Sequence, residues 1–184
     1  SIASLDTSIP QLGNQVSKSP TESLVNSTYQ PATLALASGI QLYYQRLAAL
    51  KTGHIYTRMY GHDVQPLSES AKKRQLTYED WKNLLALEAK AITQIQGANN
   101  LSILVGDSLS MWFPTEKLPA GKLWLNQGIS GDTSGGILKR LTAFSATRPD
   151  AIYIMAGIND LRKGTSDETI LRNHRRIIRI LKQS

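Results

Sequence analysis

The chain has 184 residues, 41% of them hydrophobic, and a formal net charge of +7, which leaves room for one fair-sized domain or a small domain with an extended arm. It contains no cysteine, so disulfides, thiolate catalysis and cysteine zinc sites are excluded, and no apolar run approaches the length of a membrane-spanning helix. The positive excess falls mostly after Leu101, notably on Arg172, Arg175, Arg176, Arg179 and Lys182; with no aromatic residues between these charges there is no stacking surface for nucleic acid, and they read as a solvated helix face.

Residues 1–30 are rich in Ser, Thr, Asn, Gln and Pro with no apolar period, the composition of an extended polar arm or linker. Pro31 suits the first turn of a helix. Leu36, Ile40, Tyr43 or Tyr44, Leu47 and Leu50 recur as one stripe of it, and Gly53 stops it. His54 to Gln75 has no steady period and reads as an irregular excursion. His54 and His62 within it have no second ligand at a metal-binding interval and are expected at the surface. Thr77 with Asp80 forms a shortened capping box for the next helix. Trp81, Leu84, Leu85, Ile92 and Ile95 make its stripe, with Ala91 inside it, and Gly97 with Asn99-Asn100 ends it. That helix runs directly into a strand, so residues 31–100 are expected to be a helical extension packed on the core that follows.

Leu101 to Val105 is an apolar, β-branched-rich run that breaks into Gly106-Asp107-Ser108, as a buried parallel strand does at the working edge of a sheet. Leu123 to Gln127 breaks likewise into Gly128-Ile129-Ser130-Gly131-Asp132. Ala151 to Ala156 breaks into Gly157-Ile158-Asn159-Asp160. Between the first two strands, Met111-Trp112-Phe113-Pro114 is apolar bulk that either lines an acyl pocket or simply packs. Asp132-Thr133-Ser134 caps a helix carrying Ile137, Leu138, Leu141 and Phe144, and Arg148-Pro149-Asp150 turns into the third strand. Thr165-Ser166-Asp167-Glu168 reads as a capping box for a last helix with a stripe of Ile170, His174, Ile177, Ile178 and Leu181. On that stripe His174 reads as a packed histidine rather than a base. Neither Gly-x-Gly-x-x-Gly nor a Walker pattern is present, which argues against nucleotide binding.

Three blocks in this order, Gly106-Asp107-Ser108-Leu109, Asn126 to Asp132 and Gly157 to Asp160, resemble the SGNH (GDSL) hydrolase family from about Leu101 to the end. The expected fold is therefore α/β, a three-layer flavodoxin-like parallel sheet, incomplete, with residues 101–184 as the N-terminal part of the hydrolase domain. The resemblance implies that Ser108 is a nucleophile that also lends its backbone N–H, that Gly131 gives a second backbone N–H and that the Asn159 amide gives a third donor. Asp107, Asp132 and Asp160 are expected to be turn-stabilising carboxylates. No metal or cofactor is implied. The substrate is expected to be a carboxylic ester, of a lipid, an acylated sugar or a small acyl group, and nucleic acid is not an expected partner.

One block is missing. The family's Asp-x-x-His has no counterpart, because the residues three before the histidines are Lys51, Met59 and Leu171. The chain is accordingly expected to be a C-terminally shortened serine esterase, inactive or nearly so. The alternative is a binding or scaffolding module that keeps the pocket without the base. A three-stranded sheet would leave a bare edge for self-pairing or for a complementing C-terminal fragment. The polar arm, the lack of a starting Met and the lack of cysteine lean towards a periplasmic, secreted or membrane-anchored protein over a cytoplasmic one.

Overall fold

The structure, a computed structural model, describes residues 4–6, 31–55 and 68–183. Most of the excursion around His62 lies outside these residues, as does most of the arm. Four strands, β1 (Ser4–Asp6), β2 (Leu101–Gly106), β3 (Leu123–Gly128) and β4 (Ala151–Met155), form one parallel sheet in the order β1-β4-β2-β3. Seven helices accompany them among the described residues: α1 (Pro31–Lys51), α2 (Glu69–Lys73), α3 (Tyr78–Ile95), α4 (Ser108–Met111), α5 (Ser134–Lys139), α6 (Ile158–Arg162) and α7 (Asp167–Gln183). Helices flank a parallel sheet, so the fold is α/β, as expected.

Register decides which side chains share a face. Ile103 stands opposite both Leu125 and Ile152, and Leu104 opposite Asn126 and Tyr153, so the period of two carries across all three central strands. On one face Leu101, Ile103, Val105, Leu125, Ile152 and Ile154 bury against Ile92 of α3, Ile137 of α5 and Ile177 and Leu181 of α7. On the other, Leu104 and Trp124 pack with Phe113, which follows α4. The Trp124 indole N–H donates to the Pro119 carbonyl at 2.9 Å, which satisfies its one polar group inside an apolar cluster. Met111 and Phe113 are both buried core residues, so of the two readings of that apolar stretch the structure favours packing.

The strand at Ser4–Asp6 departs from expectation. It pairs in register with Ala151, Ile152 and Tyr153 on the side of β4 away from β2. The expected bare edge beside the third core strand is therefore covered there, and the arm contributes a strand. The reason is backbone chemistry: an open edge offers a row of N–H and C=O groups to any extended segment, whatever its side-chain pattern.

Other departures concern polar groups. Ile95, expected on the buried stripe of α3, is exposed, and Glu88 is buried instead. It meets Arg46 of α1, also fully buried; Arg46 Nε donates to Glu88 Oε2 at 3.1 Å and one terminal nitrogen donates to Glu88 Oε1. Arg46 further donates to the Asn126 carbonyl in β3 at 3.0 Å. Gln127 Nε2 donates to the Leu85 carbonyl of α3 at 3.0 Å. An ion pair and a carboxamide thus fasten α1 and α3 to β3, where an apolar stripe alone was expected.

The capping box of α3 forms as read: Thr77 Oγ1 accepts from Asp80 N–H at 3.1 Å and Thr77 N–H donates to Asp80 Oδ2 at 2.9 Å. At α7 the cap lies one residue later than expected. Ser166 Oγ accepts from Thr169 N–H at 3.2 Å, while Thr165 N–H is taken by the Asp160 carbonyl at 2.9 Å. The helix read after Thr133 ends at Lys139, and Leu141–Phe144 continues as a separate 3₁₀ turn.

Candidate active site

The carboxyl ends of β2 and β3 approach so closely that side chains are excluded there. A Cβ on Gly106 would lie 2.2 Å from the Met155 carbonyl oxygen, and one on Gly128 would lie 2.4 Å from Met111 N. Both contacts are with backbone, which cannot step aside. Ile129 N–H donates to the Gly106 carbonyl at 3.0 Å and Asp107 N–H to the Met155 carbonyl at 3.2 Å. The three chain segments that leave β2, β3 and β4 are therefore hydrogen-bonded to one another.

Asp107 caps α4: its Oδ1 accepts from Leu109 N–H at 3.0 Å. Ser108 is the first helical residue and is half-buried. Asp107 Oδ2 is buried with no hydrogen-bond partner among the described residues. Burial, opposed by the Leu109 N–H, pushes the Asp107 carboxyl above its ordinary range.

In the loop after β3, Gly131 takes φ +81, and the space where its Cβ would lie is open. A positive φ of this size suits glycine. Asp132 follows, and its carboxylate is heavily engaged. It accepts from Thr133 N–H at 2.9 Å, from the Tyr78 hydroxyl at 3.1 Å and from Arg140 Nε at 2.7 Å. Arg140, buried like Asp132, also donates to the Gln127 carbonyl at 2.8 Å and the Gly106 carbonyl at 3.0 Å. One guanidinium thus ties the ends of β2 and β3 to the loop carrying Gly131. Burial, reinforced by the Asp132 charge, pushes the Tyr78 hydroxyl up to about 12.

After β4, Asn159 is buried at the start of α6. Its Nδ2 donates to the Asp132 carbonyl at 2.9 Å. Asp160 accepts from Ser134 N–H and Ser134 Oγ, each at 2.9 Å, and Asn173 of α7 donates to the same Ser134 Oγ at 3.1 Å. Asp107, Asp132 and Asp160 all accept backbone N–H groups. Asp132 also carries an ion pair and a phenol contact that no local pattern announces.

Gly131 and Asn159 are joined through the Asp132 backbone, and Ser108 is joined to them through the β2 and β4 ends. Among the described residues no hydrogen bond links Ser108 directly to either. Of the histidines, His54 is exposed and takes part in a 3.1 Å contact with Thr52 Oγ1. His174 is half-buried, its Nε2 3.7 Å from where a Cβ on Gly157 would stand. His62 lies outside the described residues. No group of three or more His, Cys, Asp or Glu that could hold a metal ion occurs among the described residues.

Arg140 and Tyr78 carry no local signal, and Ser134, legible only as part of a helix cap, also binds the Asp160 carboxylate. Tyr78 and Asp132 are 54 positions apart, and Arg140 looks like one more surface cation on a helix end. Only the folded chain brings them together.

No curated protein matches the chain by sequence. A solved structure from Streptococcus pneumonia, described as a candidate platelet activating factor, is similar at 22% identity and TM-score 0.48, over 57% of this chain and 50% of that one. The chain spans about half the length of that structure. The model of the GDSL-like lipase/acylhydrolase family matches residues 92–184, a span that takes in all three strand-end loops. The chain belongs to the GDSL-like lipase/acylhydrolase family.

Proposed function

We propose that this chain carries the nucleophile and oxyanion hole of a serine hydrolase acting on carboxylic esters. Ser108 Oγ bonds to the ester carbonyl carbon, its proton passes to a base, and the alkoxy group leaves as the alcohol. Water then cleaves the acyl-serine, releasing the acid and restoring the hydroxyl. The Ser108 and Gly131 N–H groups and the Asn159 amide donate to the oxygen on which negative charge develops. An amide suits this place because it donates without itself titrating. The substrate class is an acyl ester of a lipid, a sugar or a small alcohol.

The observation that supports this reading best is the bond from Asn159 to the Asp132 carbonyl at 2.9 Å. It holds the amide beside the Gly131 turn and still leaves that nitrogen a second N–H for a ligand.

With no Asp-x-x-His in its sequence, the 184-residue chain is proposed to retain only the slow turnover that an oxyanion hole supports, roughly 10³–10⁴ over water. The test is chemical rescue: hydrolysis of 4-nitrophenyl acetate with increasing imidazole, for the native chain and Ser108→Ala. The expected result is an imidazole-dependent excess rate in the native chain alone, with covalent labelling of Ser108 by a fluorophosphonate under the same conditions. Equal rates and no label at Ser108 would favour a binding module that keeps the pocket without the chemistry.

A further inference from the structure

Three lysines from three separate segments converge on one hollow beside the Gly131 turn. The cavity, about 310 Å³, is lined by Lys82 of α3, Lys139 of α5 and Lys163 just after α6, together with Ser130, Gly131 and Thr133. That volume is at the lower end of the range for small-molecule sites. Lys163 comes four residues after Asn159, one turn on, and its own N–H donates to the Asn159 carbonyl at 3.0 Å. The hollow therefore adjoins two of the three loops in the proposed oxyanion hole.

Its charge is unbalanced. The one carboxylate in the wall, Asp132, is already bound by Arg140 at 2.7 Å and by the Tyr78 hydroxyl. Glu79 sits in the neighbouring hollow, which shares Lys82 and Lys139, and it approaches Lys82 at 3.4 Å. Lys139 and Lys163 make no ion pair among the described residues. Like charges brought to one concavity repel each other, and a bound anion relieves that repulsion. The small hydroxyl groups of Ser130 and Thr133 and the open space over Gly131 leave room and donors for an oxyanion.

We infer that this cavity binds a phosphate, sulfate or carboxylate group, and that the ester substrate carries that group beside its scissile bond. The second half rests on the serine-hydrolase reading above; the first half stands without it. Binding is expected to weaken as salt rises, because Lys139 and Lys163 are exposed and Lys82 is half-buried.

The test has two arms. In the first, inorganic phosphate is titrated into the native chain, Lys139→Gln/Lys163→Gln, Lys90→Gln on the exposed side of α3, and Ser108→Ala, with heat as the readout. The expected result is saturable one-to-one binding, about tenfold weaker in the double variant and equal in the other three. Absence of saturable heat, or equal binding in the double variant, overturns the site. In the second arm, imidazole-supported hydrolysis of 4-nitrophenyl hydrogen succinate is compared with that of neutral 4-nitrophenyl butyrate. The expected result is an anionic-to-neutral rate ratio that falls about tenfold in the double variant; a ratio that does not move means that the site takes free anions only and overturns the substrate assignment. If Ser108→Ala turns over both esters as fast as the native chain, the hydrolase reading fails while the phosphate arm remains readable.

Discussion

The Asn159 side-chain amide, leaving β4, donates to the Asp132 backbone carbonyl, leaving β3, at 2.9 Å. This bond joins the loop after β3 to the first turn of α6 and sets the carboxamide against the turn that carries Gly131. Asn159→Ala is expected to lower the Ser108-dependent, imidazole-supported rate by about 10²–10³, the usual effect of losing one oxyanion donor. The loss of stability should be only about 1 kcal/mol, the net worth of one hydrogen bond. Initial-rate kinetics and urea unfolding on the same preparation separate the two.

Gly106 and Gly128 allow no side chain. Gly106→Ala places a methyl 2.2 Å from the Met155 carbonyl oxygen, and strain of that kind costs about 1–3 kcal/mol or more. Gly39→Ala is the contrast. It lies inside α1 with nothing within 4 Å of its Cβ position, so it should stabilise by about 0.5–1 kcal/mol. Urea midpoints at constant slope measure both.

Arg140→Met removes the cation from a buried Asp132, and uncompensated buried charge typically costs about 3–5 kcal/mol. Pairing it with Asp132→Asn should recover much of that loss. A double-mutant cycle by chemical unfolding reads the coupling. No recovery would show that Arg140 acts through the Gln127 and Gly106 carbonyls instead.

Asp107 gives a pH signature. Burial raises its folded pKa above the ordinary 3.8, so the folded chain holds the proton more tightly than the unfolded one. Stability from this group is present at low pH and is lost as pH rises from about 3.8 through the raised folded value. Asp107→Asn should flatten that part of the stability profile, measured by urea unfolding across acid to neutral pH. Tyr78, pushed from 10.0 up to about 12, acts with the same sign between those values. The native-minus-Tyr78→Phe phenolate absorbance should therefore appear at a pH above the ordinary tyrosine range.

Ser4–Asp6 covers part of the β4 edge. Deleting residues 1–6 should expose that edge and promote self-association. Light scattering against concentration tests it, with the full chain as reference.

The parallel strands at Leu101, Leu123 and Ala151, the Thr77–Asp80 cap and the three strand-end blocks are all legible in the order of the residues. These are legible because they depend on short-range rules: apolar runs, cap chemistry a few residues long, and glycine where the chain turns. Folding brings together what the chain keeps apart: Arg46 meets Glu88 across 42 positions, Arg140 binds Asp132 and two strand ends, three lysines share one hollow, and Ser4–Asp6 joins the sheet. A charged residue whose partner is distant in the chain has the same local pattern as a solvated one. Only the packing that removes water from both shows which it is.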